Sequence, residues 1–248
     1  MGDGIEIDLG KGFPYHEDTF DRIRHLSELI LRVSKRVDVP PVAVAGSIAD
    51  EFNALRTENW TLRRCLDWII DETIPGLRES VFDWSVRHGH HSKFLNATRH
   101  DIGAANINLA TARAVYDEFH ERYLEDTDVR WGYLVQEEIP SWEELVDYVL
   151  TGEGTVVITA LVIRKAMEEL SPFLVGRSAE IREAVLVTVF KQGPSYLSRF
   201  KVRLALNQGA MLRPGEGCRV YHQRAEILRA LGLTLSDVNS TPAVAECR

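Results

Sequence analysis

Cysteine is scarce: the 248 residues hold three, Cys65, Cys218 and Cys247, an odd number set too far apart to imply a disulfide framework. No CxxC pair occurs, so nothing points to a zinc site or to any other cofactor. Positive charge is in deficit as well, with 29 Lys and Arg against 37 Asp and Glu, a formal net charge of −8 and a pI of about 5.5. A nucleic-acid binder needs a basic face to displace counter-ions from phosphates, and this balance argues against that class. Neutral or amphoteric polymers stay open. No apolar run reaches the ~18 residues of a membrane span, so none is expected. The opening residues, MGDGIEIDLGKGFPYHEDTF, lack the basic stretch and apolar run of a secretory signal. A soluble chain is expected, one that needs another carrier, or has lost a leader, if it acts outside the cytoplasm. Repeats and low-complexity segments are also missing.

What is present is apolar material at helical spacing. At 45% hydrophobic the chain can build one sizeable core, or one core with an appended lobe. Ile23, Leu26, Ile30, Val33 and Val37 form one stripe, ended by Pro40-Pro41. Those prolines suit the first turn of a second helix over Val42–Leu55, where a missing N–H costs little. A third is expected over Leu62–Thr73. Arg87–Asp101 reads as loop, Ala105–Tyr123 as helix, and 130–140 as irregular, with a short strand near Tyr133–Val135 as the alternative. Ser141-Trp-Glu-Glu is a capping box for a helix to Leu150. Val156–Leu170 and Ala179–Lys191 are strongly apolar helices of the kind that sit in a core. Gly193-Pro194 ends the second, and Val220–Leu231 is the last helix. The fold class expected is mainly α, with little or no β-sheet.

Three segments carry chemistry. The first, VPPVAVAGSIADEFNAL, sets Glu51 on a helix dominated by Val42, Val44, Ala45, Ile48, Phe52 and Leu55. A carboxyl there is partly desolvated, which disfavours its ionised form. Glycosidic cleavage needs such a group, an acid still protonated near neutral pH. Taken alone, the plain reading of this helix is a boundary glutamate, hydrated or paired with Arg56. Asp50 is expected to point elsewhere, into solvent. The second segment, RHDIGAANINLATARAV, offers Gly103 for close backbone approach and the amides of Asn106 and Asn108 as donors and acceptors. Its plain reading is a turn before an Ala-rich helix. The third is VTVFKQGP, with Phe190, Lys191 and Gly193.

In this order the segments resemble the lysozyme-like superfamily, that is, lytic transglycosylases and goose-type lysozymes. That family carries P-x-x-x-x-x-x-I-x-x-E with a catalytic glutamate, here Pro41, Ile48 and Glu51. It follows with G-x-M-Q-(I/L)-x-P-x-T-A, matched by GAANINLATA at the glycine, the aliphatic position and the Thr-Ala ending, with Asn106 at the glutamine. Its third mark, A-x-Y-N-x-G, corresponds to Phe190 at the tyrosine, Lys191 at the asparagine, and Gly193. The apolar helix TVVITALVIRKAMEEL stands where the family has its buried central helix. The resemblance spans roughly residues 37–200. Fifty-two positions separate Glu51 from Gly103, more than in compact transglycosylases, so 58–100 reads as an insertion.

The resemblance implies a lysozyme-like helical domain over 21–210, after an N-terminal segment 1–20 and before a C-terminal helix and tail 211–248. It implies cleavage of the β-1,4 bond between N-acetylmuramic acid and N-acetylglucosamine, with Glu51 protonating the bridging oxygen. In a muramidase a second carboxylate orients water, and Asp101 is the candidate. In a transglycosylase Glu51 later acts as base, and the sugar's 6-hydroxyl closes a 1,6-anhydro ring. His100, Gly103, Asn106, Asn108, Phe190, Lys191 and Gly193 become substrate-binding candidates, although the polar ones suit local capping too. Phe190 lacks the family's hydroxyl, for which Tyr196, Tyr133 or Tyr116 is a substitute. Lys191 brings a charge that would weaken the acid, which also fits a domain that binds glycan without cutting. By analogy, a catalytic domain without a leader suggests a phage-type lysin or an antibacterial effector, the latter made in the bacterial cytoplasm, delivered to peptidoglycan and opposed by an immunity protein. His88, His90 and His91 read as solvated rather than metal-binding. Trp60, Trp68 and Trp84 read as core.

Overall fold

The computed structural model describes residues 5–7, 14–57, 101–102, 105–126, 135, 138–139, 141–206, 210–212 and 217–239. His100, Gly103, the expected insertion 58–100 with its helix, histidines and tryptophans, and Tyr133 lie outside them. Within them the chain is mainly helical. Its four short strands form two two-stranded sheets: β1 (Ile5–Ile7) pairs in parallel with β4 (Ala210–Leu212), and β2 (Asp101–Ile102) antiparallel with β3 (Ile107–Asn108).

Helix α1 (Glu17–Val37) buries Ile23, Leu26, Ile30, Val33 and Val37, residues three or four apart that share one face. Asp38, in a left-handed conformation at φ 56°, ends it, and α2 (Pro41–Thr57) begins at the second proline. Val42, Ala43, Val44, Ala45, Ile48 and Ala49 of α2 are all buried, so this helix has no dry and wet side but is enclosed. Gly46 makes that possible: a Cβ there would stand 2.6 Å from Val220 Cγ2 and 3.3 Å from Val187 Cγ2.

Helix α3 (Leu109–Asp126) starts four residues later than the spacing predicts. Asn106 takes a left-handed turn at φ 47°, Ile107 and Asn108 pair with β2, and the Asn108 Oδ1 accepts from Thr111 N at 3.3 Å. Two asparagines thus trade a helical turn for a hairpin and a cap. The capping box of α4 (Trp142–Leu150) forms as expected, Ser141 and Glu144 exchanging hydrogen bonds of 3.1 Å in both directions. Val135 is helical rather than extended.

Helix α5 (Gly152–Leu174) is the hub of the core, with Val156, Val157, Ile158, Ala160, Leu161 and Ile163 buried and α1, α2, α3, α4 and α6 around it. Burying each large aliphatic side chain of this kind contributes ~1.5–3 kcal/mol. Helix α6 (Ala179–Gln192) packs on α2 and α5, and Gly193 at φ 72° turns the chain into α7 (Pro194–Ala205) with the proline at its first turn. The single C-terminal helix expected over Val220–Leu231 is instead two, α8 (Cys218–His222) and α9 (Arg224–Ala230), followed by α10 (Leu235–Asn239). The break falls at Gln223, whose side chain accepts the Tyr15 backbone N–H at 2.7 Å.

On the outer side of α5, Glu168 accepts from Arg122 at 2.9 Å and from Arg164 at 2.7 Å. Burial works to raise its pKa, but the two guanidiniums hold it below the ordinary carboxylate value. A depressed carboxylate contributes stability that is present above its unfolded value and lost as pH falls through the folded one. The Glu168 side chain is 33% exposed and solvent screens these contacts, so Glu168→Gln is expected to cost about 1 kcal/mol or less at pH 7. Urea unfolding at pH 7 and pH 3 checks this, because the difference from the wild type should be smaller at the lower pH.

Candidate functional site

Glu51 is 8% exposed, held on α2 between two segments that are distant in sequence. The Asn106 side-chain amide, presented by the left-handed turn before β3, donates to Glu51 Oε2 at 3.1 Å. From the other side the Lys191 ammonium, at the last turn of α6, stands 3.7 Å from Glu51 Oε1. The structure therefore brings together Glu51, Asn106 and Lys191, one residue from each of the three segments picked out in the sequence.

The remaining candidates divide. Gly193 follows Lys191 by two positions and caps α6, its N–H donating to Val189 O at 2.9 Å, and nothing lies within 4 Å of where a Cβ would be. Its task there is the positive φ that turns the chain, which glycine adopts without strain. Phe190 is half-buried against the core. Asn108 serves as the cap of α3 already described. Asp101 lies in β2 with its backbone opposite Asn108, so it shares a hairpin with Asn106, but its side chain is not among those described. Of the tyrosines considered for the missing hydroxyl, Tyr116 packs edge-on to Tyr148 and Tyr196 tilts against Phe200, both within the core.

Asp50 corrects the expectation of a solvated side chain. It is 1% exposed and accepts from Lys191 Nζ at 2.7 Å, from Arg219 Nη1 at 2.9 Å and from the Tyr15 hydroxyl at 3.4 Å. Asp50 does point about 100° away from Glu51, as helix geometry demands. That direction is inward, however, because α2 is enclosed on all sides. Gly46, Asp50 and Asn53 follow one another at i, i+4 and i+7 on this face, and Asn53 Oδ1 accepts from His16 N at 2.9 Å. An aspartate in a helix apolar all round cannot stay hydrated and must find cations. That was the available signal for Asp50, and Arg219, set between Cys218 and Val220, was the matching one for its partner.

Among the described residues, the site holds two charges of each sign. Burial opposes the charge on Lys191, yet the fields of Asp50 and then Glu51 outweigh it and hold the ammonium's pKa above its ordinary value. Burial, and after it the charge of Asp50, pushes the Tyr15 hydroxyl well above 10.0, so Tyr15 remains a neutral donor. The Arg219 guanidinium also lies 5.9 Å from the Tyr15 ring centre, a cation–π distance. Two carboxylates, one ammonium and one guanidinium thus meet at the junction of α2, α6 and α8. Among the described residues, no three His, Cys, Asp or Glu side chains stand close enough to hold a metal ion. No single described helix is long and apolar enough to cross a membrane. Comparison with family models, with curated proteins and with solved structures finds no match to the chain.

Proposed function

We propose that this protein cuts the glycan strands of peptidoglycan at the β-1,4 bond between N-acetylmuramic acid and N-acetylglucosamine, on a lysozyme-like helical framework, with Glu51 as the acid. The observation that carries this reading is the meeting of Glu51, Asn106 and Lys191. Three motifs chosen separately along the chain supply neighbouring side chains, an arrangement that unrelated helices have no reason to produce.

The chemistry follows from the contacts. Glu51 is nearly enclosed, and burial works against its charged form. Asn106 fixes the Oε2 edge of the carboxyl with a neutral hydrogen bond, which orients the group without adding charge. The nearer contact of Lys191 is to Asp50, which leaves its influence on Glu51 secondary. Protonating the bridging oxygen from such a group contributes roughly 10²–10⁴ in rate. Hydrolysis is favoured over anhydro-ring formation because the β2–β3 hairpin that presents Asn106 also carries Asp101. An inverting muramidase needs its two carboxyls about 6.5–9.5 Å apart to admit a water. An antibacterial effector, delivered to peptidoglycan after synthesis in the cytoplasm and countered by an immunity protein, is the setting that fits this activity.

One observation favours a second reading. The Lys191 ammonium near Glu51 fits a domain that holds glycan without cutting it. Digestion of purified peptidoglycan followed by mass spectrometry of the released fragments separates the possibilities. Reducing ends identify a muramidase and 1,6-anhydro ends a transglycosylase. Sedimentation with the polymer but no release supports the binding domain. A protein that neither binds nor releases glycan removes both readings.

A further inference from the structure

Asp50 plays no part in the acid chemistry proposed above, yet among the described residues two cations and a hydroxyl reach it. Lys191 stands between the two carboxylates, within hydrogen-bonding distance of Asp50 at 2.7 Å and beyond it from Glu51 at 3.7 Å. Arg219 braces the other oxygen of Asp50 at 2.9 Å, and the Tyr15 hydroxyl adds a third contact. We infer that Asp50 is a positioning residue for Glu51: it holds the Lys191 ammonium as its own counter-ion and so keeps that charge at a longer distance from the acid.

The functional meaning of this inference rests on Glu51 being the acid, but the geometry does not. Coulomb attraction falls with distance, and Lys191 carries its charge on a flexible four-carbon stem. With Asp50 neutralised, Glu51 becomes the nearest anion, and the ammonium has both the freedom and the incentive to close on it. An ammonium in contact favours the charged carboxylate, which then surrenders its proton at a lower pH. A general acid that is already ionised has nothing to donate.

Among the described residues, the charged and titratable groups facing this pair are Lys191 from α6, Arg219 and Cys218 from α8, and Tyr15 ahead of α1. The cations of the other neighbouring helices are engaged elsewhere. Arg164 of α5 holds Asp38 and Glu168, Lys165 holds Glu118, and Arg224 of α9 holds Glu183 and Glu180. Lys191 is thus the mobile charge that Asp50 controls.

The test follows the Glu51 carboxyl by carbon NMR titration in the full chain, its signal assigned by its loss in Glu51→Gln. In Asp50→Asn the Glu51 midpoint is expected to fall by about one pH unit. In Lys191→Met it is expected to rise by a similar amount, and the double variant is expected to stay near the Lys191→Met value, because without the ammonium Asp50 has nothing to hold. Loss of the Asp50 charge acting directly on Glu51 would instead lower the midpoint equally with and without Lys191, and a double variant at the wild-type value overturns the positioning role. In peptidoglycan digestion, the alkaline limb of the pH profile should move with each midpoint. A Glu51 titration that is the same in wild type, Asp50→Asn and Lys191→Met overturns the inference, as do shifts of the same sign. If Asp50→Asn does not fold, Lys191→Met and Lys191→Gln decide it alone, and an unmoved midpoint in both overturns it. Midpoints that shift as expected while no variant releases glycan uphold the positioning role and remove the cleavage reading.

Discussion

Glu51→Gln is expected to lower glycan release from purified cell walls by about 10²–10⁴-fold while the protein stays folded. Glutamine keeps the volume of the side chain and an oxygen able to accept from Asn106, so the α2 helix and its packing have no reason to move. Lys191 retains its closer partner, Asp50, and is not left as an unpaired buried charge. What disappears is the transferable proton. Turbidity loss of the walls gives the activity, and far-ultraviolet circular dichroism with a urea unfolding curve shows whether the fold survived. Equal rates in the two proteins would take Glu51 out of the mechanism.

The largest stability effect is expected at a different ion pair. Arg224 of α9 donates to Glu183 of α6 through two nitrogens, at 2.6 and 3.1 Å, and their side chains are 5% and 2% exposed. Arg224→Met should cost roughly 3–5 kcal/mol, because it strands a carboxylate that cannot reach water. Adding Glu183→Leu should recover most of that loss, since a buried pair replaced by apolar side chains is close to neutral. The effect also carries a pH sign. Burial raises the Glu183 carboxyl above 4.5 even against the hydrogen bonds and charge of Arg224. A raised acid contributes stability that is whole below its unfolded value and is lost as pH climbs through the folded one. Without Arg224 the carboxyl takes a proton more readily, so the Met variant should lose less stability at pH 4 than at pH 7. Urea unfolding at both values checks it, and a penalty that is larger in acid would refute the account.

Much of the framework was legible in the residues. A period-3.6 stripe revealed α1, and apolar runs bounded by proline and glycine revealed α2, α5 and α6, because neither signal needs knowledge of what covers the helix. Pro41, Ser141 with Glu144, and Gly193 marked boundaries for reasons confined to a few neighbouring atoms. Where the reading slipped, a partner distant in sequence was responsible. Asn106 leaves the helix for a hairpin closed against β2, and Gln223 breaks the last helix where its side chain meets the backbone of Tyr15.

The candidate site divides along the same line. By itself the sequence determined the mainly helical class, the apolar character of α2, and the presence of Glu51, Asn106 and Lys191 in three segments worth comparing. Those properties depend on spacing and on side-chain chemistry, which a linear chain already contains. Only the tertiary structure decided that Asp50, not solvent, is the first partner of Lys191, and that Arg219, 169 positions away, completes the cluster. The direction a side chain takes from an enclosed helix is fixed by which helices pack around it, and a buried charge finds its counter-ion only once they have met.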